Sequence, residues 1–293
     1  MRRGAWHQFG DRSQRLALEQ LQYGAGVGVI ISPRDLSYGR ATEYAQQYGD
    51  AGADILVDQQ FHVPESAAGQ LESYPIADKR TAVSSLNQVS DSVLAGLSAD
   101  LSEINNAFRA SAVLAPAVVY EAGRPDIVEL NLKLFGASKA VAETLGIPCY
   151  ATVFLGSSAT AADLTAEVVV SAATALPADG WYFAFEFNAG RIPSSAAQVA
   201  RYLRTGLLLA GTGLPVLHAY VGPLAPLALA CGGTGTGIGH SQNLWQFTRA
   251  RWTPAEGGGG GGDAPPRYFS KALWGTIIYE DEFALLSPSE RRW

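Results

Sequence analysis

Cysteine is scarce in this sequence, which has only Cys149 and Cys231 among its 293 residues. Both lie in apolar segments, so we expect buried free thiols, and two isolated cysteines provide neither a zinc-ligand motif nor a disulfide framework. Lysine is also rare: 4 Lys stand beside 17 Arg, and no basic stretch exceeds two residues. With a net charge of −6, this composition argues against nucleic acid as a partner, because backbone binding needs clustered cations.

Long hydrophobic runs are missing as well. No apolar stretch reaches the ~20 residues that a membrane span needs, and the opening MRRGAWHQFGDRSQR lacks the apolar core of a signal peptide. We therefore expect a soluble, cytoplasmic protein with no membrane partner. The hydrophobic content of 47% is sufficient for a large buried core.

A short apolar run followed by a helical stretch recurs along the chain. The predicted strands are VGVIIS (27–32), ADILVD (53–58), AVLAPAVVY (112–120), CYATVFLG (149–156), GWYFAFEF (180–187), PVLHAYVG (215–222) and TGTGIG (234–239), with GTIIYE (275–280) completing or capping the set. Apolar strands that alternate with helices indicate a parallel sheet covered on both faces. Since a barrel needs ~250 residues, the predicted fold is α/β, a (β/α)8 TIM barrel in a single domain over residues 1–293. An open doubly wound sheet is the alternative.

Two segments depart from this repeat. Residues 66–111 form a long excursion between the second and third predicted strands, with a helix that contains Leu97 and Leu101. The glycine run at 257–262 with the prolines behind it predicts a flexible loop over residues 257–266, because glycine holds a fixed backbone only at an entropic cost. Residues 267–293 are then a C-terminal extension.

In a barrel the working residues lie at the carboxyl ends of the strands. Asp58 directly follows an apolar strand and is predicted to lie at the barrel mouth, either as an acid–base group or as a loop cap. Glu186 alternates with aromatic residues and is predicted to point inward, where an apolar setting suits acid–base chemistry. The alternative for Glu186 is an internal ion pair with an arginine.

Further polar residues at strand ends are predicted to orient a ligand. They are Gln59, Gln60, Asn188, His218, Tyr220 and His240. For His218, which lies within its strand, a hydrogen-bonded core histidine is the alternative. Asp58, His62 and Glu65 match no standard metal-ligand spacing, so we predict neither a metal nor another cofactor.

The glycines of GGTGTGIGHSQN favour a polar or anionic ligand near Gly235, Gly237 and Gly239, because glycines late in a barrel commonly cradle an anion. The segment lacks the Lys-Ser/Thr of a phosphate-binding P-loop, which argues against ATP. The alternative is that close strand–helix packing requires glycine at these positions.

The order of these pieces resembles the barrel of tRNA-guanine transglycosylases. LVDQQF is similar to that family's strand that ends in an aspartate, and PVLHAYVGPLAPLALACGGTGTGIG resembles its later strand, helix and short strand. The resemblance implies a barrel in which Asp58 is the substrate-binding or acid–base aspartate. Where that family has a nucleophilic aspartate, this chain has Thr236, Gly237, Ile238 and Gly239, and the family's cysteine-rich zinc site is absent from the sequence.

Three hypotheses follow. The first is a barrel enzyme that acts on a small polar, nucleobase- or sugar-like ligand, by glycosyl transfer or other glycosidic-bond chemistry, with Asp58 and Glu186 as the acid–base pair. The second is a non-catalytic barrel that serves as a binding or assembly protein, which the missing nucleophile favours. The third is a metal-dependent hydrolase that uses Asp58, His62 and Glu65. The expected partner is a small polar ligand, and the sequence is also compatible with a homo-oligomer.

Overall fold

A computed structural model describes residues 1–10, 13–66, 69–84, 89–161, 163–187, 195–240, 244–252, 267–270 and 275–278. The strands are β1 (Gly4–Gln8), β2 (Gly28–Ile31), β3 (Asp54–Val57), β4 (Val113–Leu114), β5 (Cys149–Leu155), β6 (Gly180–Phe185), β7 (Val216–His218), β8 (Gly235–Gly239), β9 (Arg267–Ser270) and β10 (Gly275–Ile278). The helices are α1 (Gln14–Gln22), α2 (Tyr38–Asp50), α3 (Ala77–Ala82), α4 (Asp91–Ala107), α5 (Pro125–Leu145), α6 (Ser157–Thr160), α7 (Asp163–Thr174), α8 (Ala196–Ala210) and α9 (Ala225–Ala230).

The first eight strands form one parallel sheet in the order β3-β2-β1-β8-β7-β6-β5-β4. The two ends of the sheet meet where the backbone N–H of Ser111 donates to the Ile55 carbonyl at 2.8 Å, and where Ile55 N–H donates to Ser111 Oγ at 3.0 Å. Eight parallel strands in a nearly closed barrel, alternating with helices, confirm the predicted (β/α)8 fold.

One predicted strand is misplaced and one is missed. The eighth barrel strand is β1, which pairs with β2 on one side and with β8 on the other. GTIIYE contributes instead to β10, which pairs antiparallel with β9. Both belong to residues 254–293, a compact unit separate from residues 1–253, and the predicted loop 257–266 lies outside the described residues.

The strands are apolar on both sides because each side is buried. On β6, Trp181, Phe183 and Phe185 pack in the layer between strands and helices, whereas Tyr182 and Ala184 belong to the cluster that fills the barrel interior. This alternation is the expected two-residue period of a strand. The same alternation, continued past the end of each strand, determines which side chains face the barrel mouth.

The predicted helices form where the apolar spacing places them. α5 begins at Pro125 and ends before Gly146, whose φ of 68° is the left-handed conformation that glycine adopts at helix ends. In the excursion, Leu97, Leu101 and Ile104 are the buried face of α4. None of the described helices is long and apolar enough to span a membrane.

Candidate functional site

Asp58 lies at the carboxyl end of β3, at the barrel mouth, and its side chain is buried. One carboxylate oxygen, Oδ1, accepts a hydrogen bond from the backbone N–H of Gln60 at 3.0 Å. The other, Oδ2, accepts from the hydroxyls of Tyr182 and Tyr220, each at 3.0 Å. Asp58 therefore caps the following loop through Gln60 and at the same time contacts two tyrosines across the barrel mouth.

A glutamine from β1 connects the two tyrosines. Gln8 is buried, and its side-chain Nε2 donates to the Tyr182 hydroxyl at 3.3 Å while its Oε1 accepts from the backbone N–H of Tyr220 at 3.0 Å. Sequence reasoning missed Gln8 because β1 was not recognised. Tyr182 was also missed, although it lies four residues before Glu186 on the same strand face and could have been found from that period.

The backbone around Asp58 is unusual. Gln60 has a φ of 55° and Tyr220 a φ of 52°, values that residues other than glycine rarely adopt. Such conformations cost roughly 1–3 kcal/mol and cluster at functional sites. Both flank Asp58 directly, and the Gln60 side chain is fixed by Ser32 and by the N–H of Arg34.

Burial dominates the electrostatics of this cluster. It raises the pKa of Asp58, against the opposing effects of the Gln60 N–H, the two tyrosine hydroxyls and the positive charge of Arg251. Burial and the neighbouring Asp58 charge also raise the pKa of Tyr182 and of Tyr220, so both phenols stay protonated hydrogen-bond donors.

Two buried arginines stand beside Asp58. Arg80 from α3 donates to the carbonyls of Gln59 at 2.9 Å, Gln60 at 2.6 Å and Val63 at 3.1 Å, and burial lowers its pKa to about 10. Arg251 forms an ion pair with Asp35, and the side chains of both are at most 5% exposed.

Residues 244–252, which we call the mouth segment, cover the carboxyl ends of the strands. Its side chains Leu244, Phe247 and Trp252 are buried in the interior cluster together with Phe154 and Tyr220. Aromatic rings therefore fill the mouth above Asp58.

Glu186 anchors the mouth segment. Its Oε1 accepts from the backbone N–H of Arg249 at 3.0 Å, and its Oε2 accepts from Arg249 Nη2 at 2.8 Å and from Ser157 N–H at 3.0 Å. Glu121 also pairs with Arg249. The arginine pairing considered from the sequence is thus present, and among the described residues Glu186 and Asp58 share no hydrogen-bond partner.

His62 lies under the mouth segment rather than in a metal-ligand arrangement. Its ring centroid is 4.4 Å from that of Trp252 and 5.1 Å from that of Phe154, and burial lowers its pKa well below the ordinary value. Glu65 is exposed. Across the described part of the chain, no three histidine, cysteine or acidic side chains come together as metal ligands do.

The remaining predicted residues are divided between the mouth and other places. Gln59 is buried at the mouth, and its side-chain amide has no hydrogen-bond partner among the described residues. His218 points into the helix layer, where its Nδ1 lies 2.7 Å from the Tyr202 hydroxyl. His240 stacks on His7 and contacts Gln20. Asn188 lies outside the described residues.

The glycines of β8 are explained by close packing. A Cβ added at Gly235 would lie 2.8 Å from Trp6 Nε1, and one at Gly239 would lie 2.2 Å from Leu244 Cβ. At Gly237 it would meet Ile30 and Gln8. All these neighbours are in the barrel interior, so side chains already occupy the space that the glycines leave.

A cavity of about 540 Å³ lies outside the mouth, and Arg80, Leu71 and Ser66 are among its lining residues. Ser66 Oγ donates to the carbonyl of Trp252, so the cavity adjoins the mouth segment. Glu65, Glu72 and Asp78 give it an acidic lining.

Comparison with known proteins gives structural likeness only. No protein-family model and no curated protein matches the chain. Among solved structures, a glycerol uptake operon antiterminator-related protein from Thermotoga maritima is 13% identical with a TM-score of 0.43, over 84% of this chain and 99% of that one. An archaeal fructose 1,6-bisphosphate aldolase is 13% identical with a TM-score of 0.44, over 84% and 88%. The 3-dehydroquinate dehydratase of Aquifex aeolicus is 13% identical with a TM-score of 0.45, over 82% and 90%.

Proposed function

We propose that the chain is a barrel enzyme that acts on a small polar, nucleobase- or sugar-like ligand, with Asp58 as its acid–base group. The observation that carries this proposal is the buried Asp58 carboxylate at the mouth, held by Tyr182 and Tyr220 from two other strands. Burial raises its pKa, and a carboxyl group that keeps its proton to higher pH can donate it to a ligand.

The tyrosines complete the chemistry of the site. In the ionised state both phenols donate to Asp58 Oδ2, which stabilises the charge left when the proton is transferred. Gln8 fixes both of them, because it bonds to the Tyr182 hydroxyl and to the Tyr220 backbone. Glu186 has no acid–base role in this proposal, since its oxygens bind Arg249 and Ser157.

The resemblance to tRNA-guanine transglycosylases supports a ligand of this class at Asp58, since it implies that Asp58 is the substrate-binding or acid–base aspartate. It does not extend to base exchange in tRNA. The interior-facing positions of β8 are Gly235, Gly237 and Gly239, so this strand brings no carboxylate to the mouth.

The second candidate is a non-catalytic binding barrel. The glycine-lined β8 and the packed mouth segment both favour it, because among the described residues neither brings a second carboxylate into contact with Asp58. In that case the same cluster binds a ligand without converting it.

The test is a binding and turnover panel of free nucleobases, nucleosides and monosaccharides, measured by calorimetry and by product analysis. We expect binding by the parent, loss of binding or of turnover in Asp58→Asn, and unchanged behaviour in Asp54→Asn. Asp54 is the matched control, because it begins the same strand and pairs with Arg2 at 2.9 Å.

Product formation by the parent identifies an enzyme, and binding without product identifies a binding barrel. A parent that binds no member of the panel, or an Asp58→Asn variant that binds and turns over as the parent does, contradicts the proposed site. Thermal unfolding of each variant shows that the comparison is made on folded protein.

A further inference from the structure

Three neighbouring residues at the mouth carry buried polar atoms with no hydrogen-bond partner among the described residues. They are Nε2 of His62, Nε1 of Trp252, and Nε and Nη1 of Arg251. Trp252 lies beside both of the others: its ring centroid is 4.4 Å from that of His62, and the Arg251 guanidinium carbon lies 5.5 Å from the Trp252 ring centre.

These unpaired atoms require an explanation, because buried polar atoms almost always have hydrogen-bond partners. An unpaired buried donor destabilises the fold, and more so when it is charged. The indole and guanidinium N–H groups can only donate, and neutral His62 can donate from Nε2. The missing partner is therefore a group rich in acceptor atoms.

The charges at the mouth indicate the sign of that group. The one carboxylate that Arg251 pairs with, Asp35, also pairs with Arg34 at 3.1 Å. Arg80 donates only to carbonyls in its described hydrogen bonds. When Asp58 holds a proton, Asp35 is the one buried carboxylate among the described residues that pairs with Arg80 or Arg251, so these two guanidinium groups carry more positive charge than their described partners neutralise.

We propose that the ligand of the mouth carries an oxyanion, a carboxylate or a phosphate, that Arg251, Trp252 and His62 bind. The inference rests on the proposed function, which supplies the nucleobase- or sugar-like remainder of the ligand. It places the anion site on the mouth segment and on the loop that follows β3. The mouth segment thus covers the site and also supplies two of the groups that recognise the ligand.

The direct probe is inorganic phosphate or acetate, added at constant ionic strength against chloride, with thermal unfolding as the readout. We expect millimolar phosphate or acetate to raise the unfolding temperature of the parent and of Asp58→Asn. The increase is lost in Arg251→Gln and reduced in Trp252→Phe, which removes the indole N–H while it keeps an aromatic ring. Arg204→Gln is the matched control, because Arg204 pairs with Glu167 on the surface.

The second probe is a set of matched ligands: a nucleoside with its 5′-monophosphate, and a hexose with its uronic acid and its phosphate. We expect the anionic members to bind at least tenfold more tightly than the neutral ones, and Trp252→Phe to reduce that ratio. A larger ratio for the phosphates identifies a phosphate site, and a larger ratio for the uronic acid identifies a carboxylate site.

The two proposals fail differently. If neither simple anion protects the parent and the anionic ligands bind no more tightly than the neutral ones, the oxyanion site is wrong, while neutral ligands that need Asp58 still support the proposed function. If the simple anions protect through Arg251 and Trp252 but Asp58→Asn leaves ligand binding and turnover unchanged, the oxyanion site stands and the proposed role of Asp58 falls. Trp252→Phe also decides the case in which Arg251→Gln does not fold.

Discussion

The hydroxyl of Tyr220 donates a hydrogen bond to Asp58 Oδ2 at 3.0 Å, between residues that are 162 positions apart in the chain. Tyr220 follows β7 and Asp58 follows β3, so the contact crosses the barrel. It joins the two halves of the sheet directly above the interior cluster. The Asp58 carboxylate therefore contributes to the closure of the barrel as well as to the proposed chemistry.

Removal of either phenol hydroxyl should weaken the fold. At a pH where Asp58 is ionised, we expect Tyr182→Phe and Tyr220→Phe each to lower the free energy of unfolding by about 1.5–3 kcal/mol, the range for a hydrogen bond to a charged group. Urea denaturation measures this change. Tyr23→Phe is the control, because Tyr23 is 90% exposed and its hydroxyl should contribute nothing. Variants as stable as this control would show that the Asp58 contacts contribute no stability.

Asp58 should make stability depend on pH in a direction opposite to that of an ordinary ion-paired carboxylate. Burial raises its pKa in the folded state above the ordinary value of an aspartate, so the folded protein binds this proton more tightly than the unfolded chain. The stability from Asp58 is complete below pH ~4 and is lost as pH rises through the folded-state pKa. Each pH unit in that window changes the free energy by at most about 1.4 kcal/mol.

The measurement is urea denaturation of the parent and of Asp58→Asn from pH 4 to pH 8. We expect the parent to lose stability relative to the variant as pH rises, because the amide does not titrate. Other groups, including buried histidines, cancel in this difference. A difference that is constant across the range, or that grows in favour of the parent, contradicts the raised pKa.

The barrel could be predicted because its strands are apolar on both sides, and the position of Asp58 followed from the end of one such strand. β1 could not be predicted in the same way, since in GAWHQ two of five residues are His7 and Gln8. Their burial depends on partners elsewhere: Ala25 O lies 2.6 Å from His7 Nε2, and Gln8 bonds to Tyr182 and Tyr220. No local pattern contains that information.

The mouth segment could not be predicted for a related reason. It has neither helical nor strand periodicity, and it is positioned by contacts with distant residues, among them Glu186 and Asp35. The strand pattern predicts Glu186 as an inward carboxylate, and in the structure Glu186 is buried directly after β6. Whether Glu186 is free for acid–base chemistry or is paired with an arginine depends on Arg249, which lies 63 positions away. The local sequence around Glu186 does not contain that information.

Gly239 should be needed for closure of the mouth. An added Cβ would lie 2.2 Å from Leu244 Cβ, which is too close for any rotamer change to relieve, so Gly239→Ala should displace the mouth segment. We expect a loss of about 1–3 kcal/mol, the usual cost of overpacking. Gly136→Ala is the matched control, because Gly136 is exposed in α5 with no atom near its added Cβ, and alanine there should stabilise the helix by about 1 kcal/mol. Equal effects of the two substitutions would contradict the packing at Gly239.

Glu186 should control how often the mouth segment opens. Glu186→Gln keeps the size of the side chain but removes the charge that binds Arg249, and a charge-assisted hydrogen bond is roughly twice as strong as a neutral one. We expect trypsin to cleave after Arg249 and Arg251 several-fold faster in this variant than in the parent, because cleavage requires the local opening of the segment. Fragment masses over a digestion time course measure the rates. Glu167→Gln, which weakens the surface pair with Arg204, should leave these two cleavages unchanged. A Glu186→Gln variant that is cut at the parent rate would show that this carboxylate does not hold the mouth closed, and its acid–base role would then become the better explanation of its position.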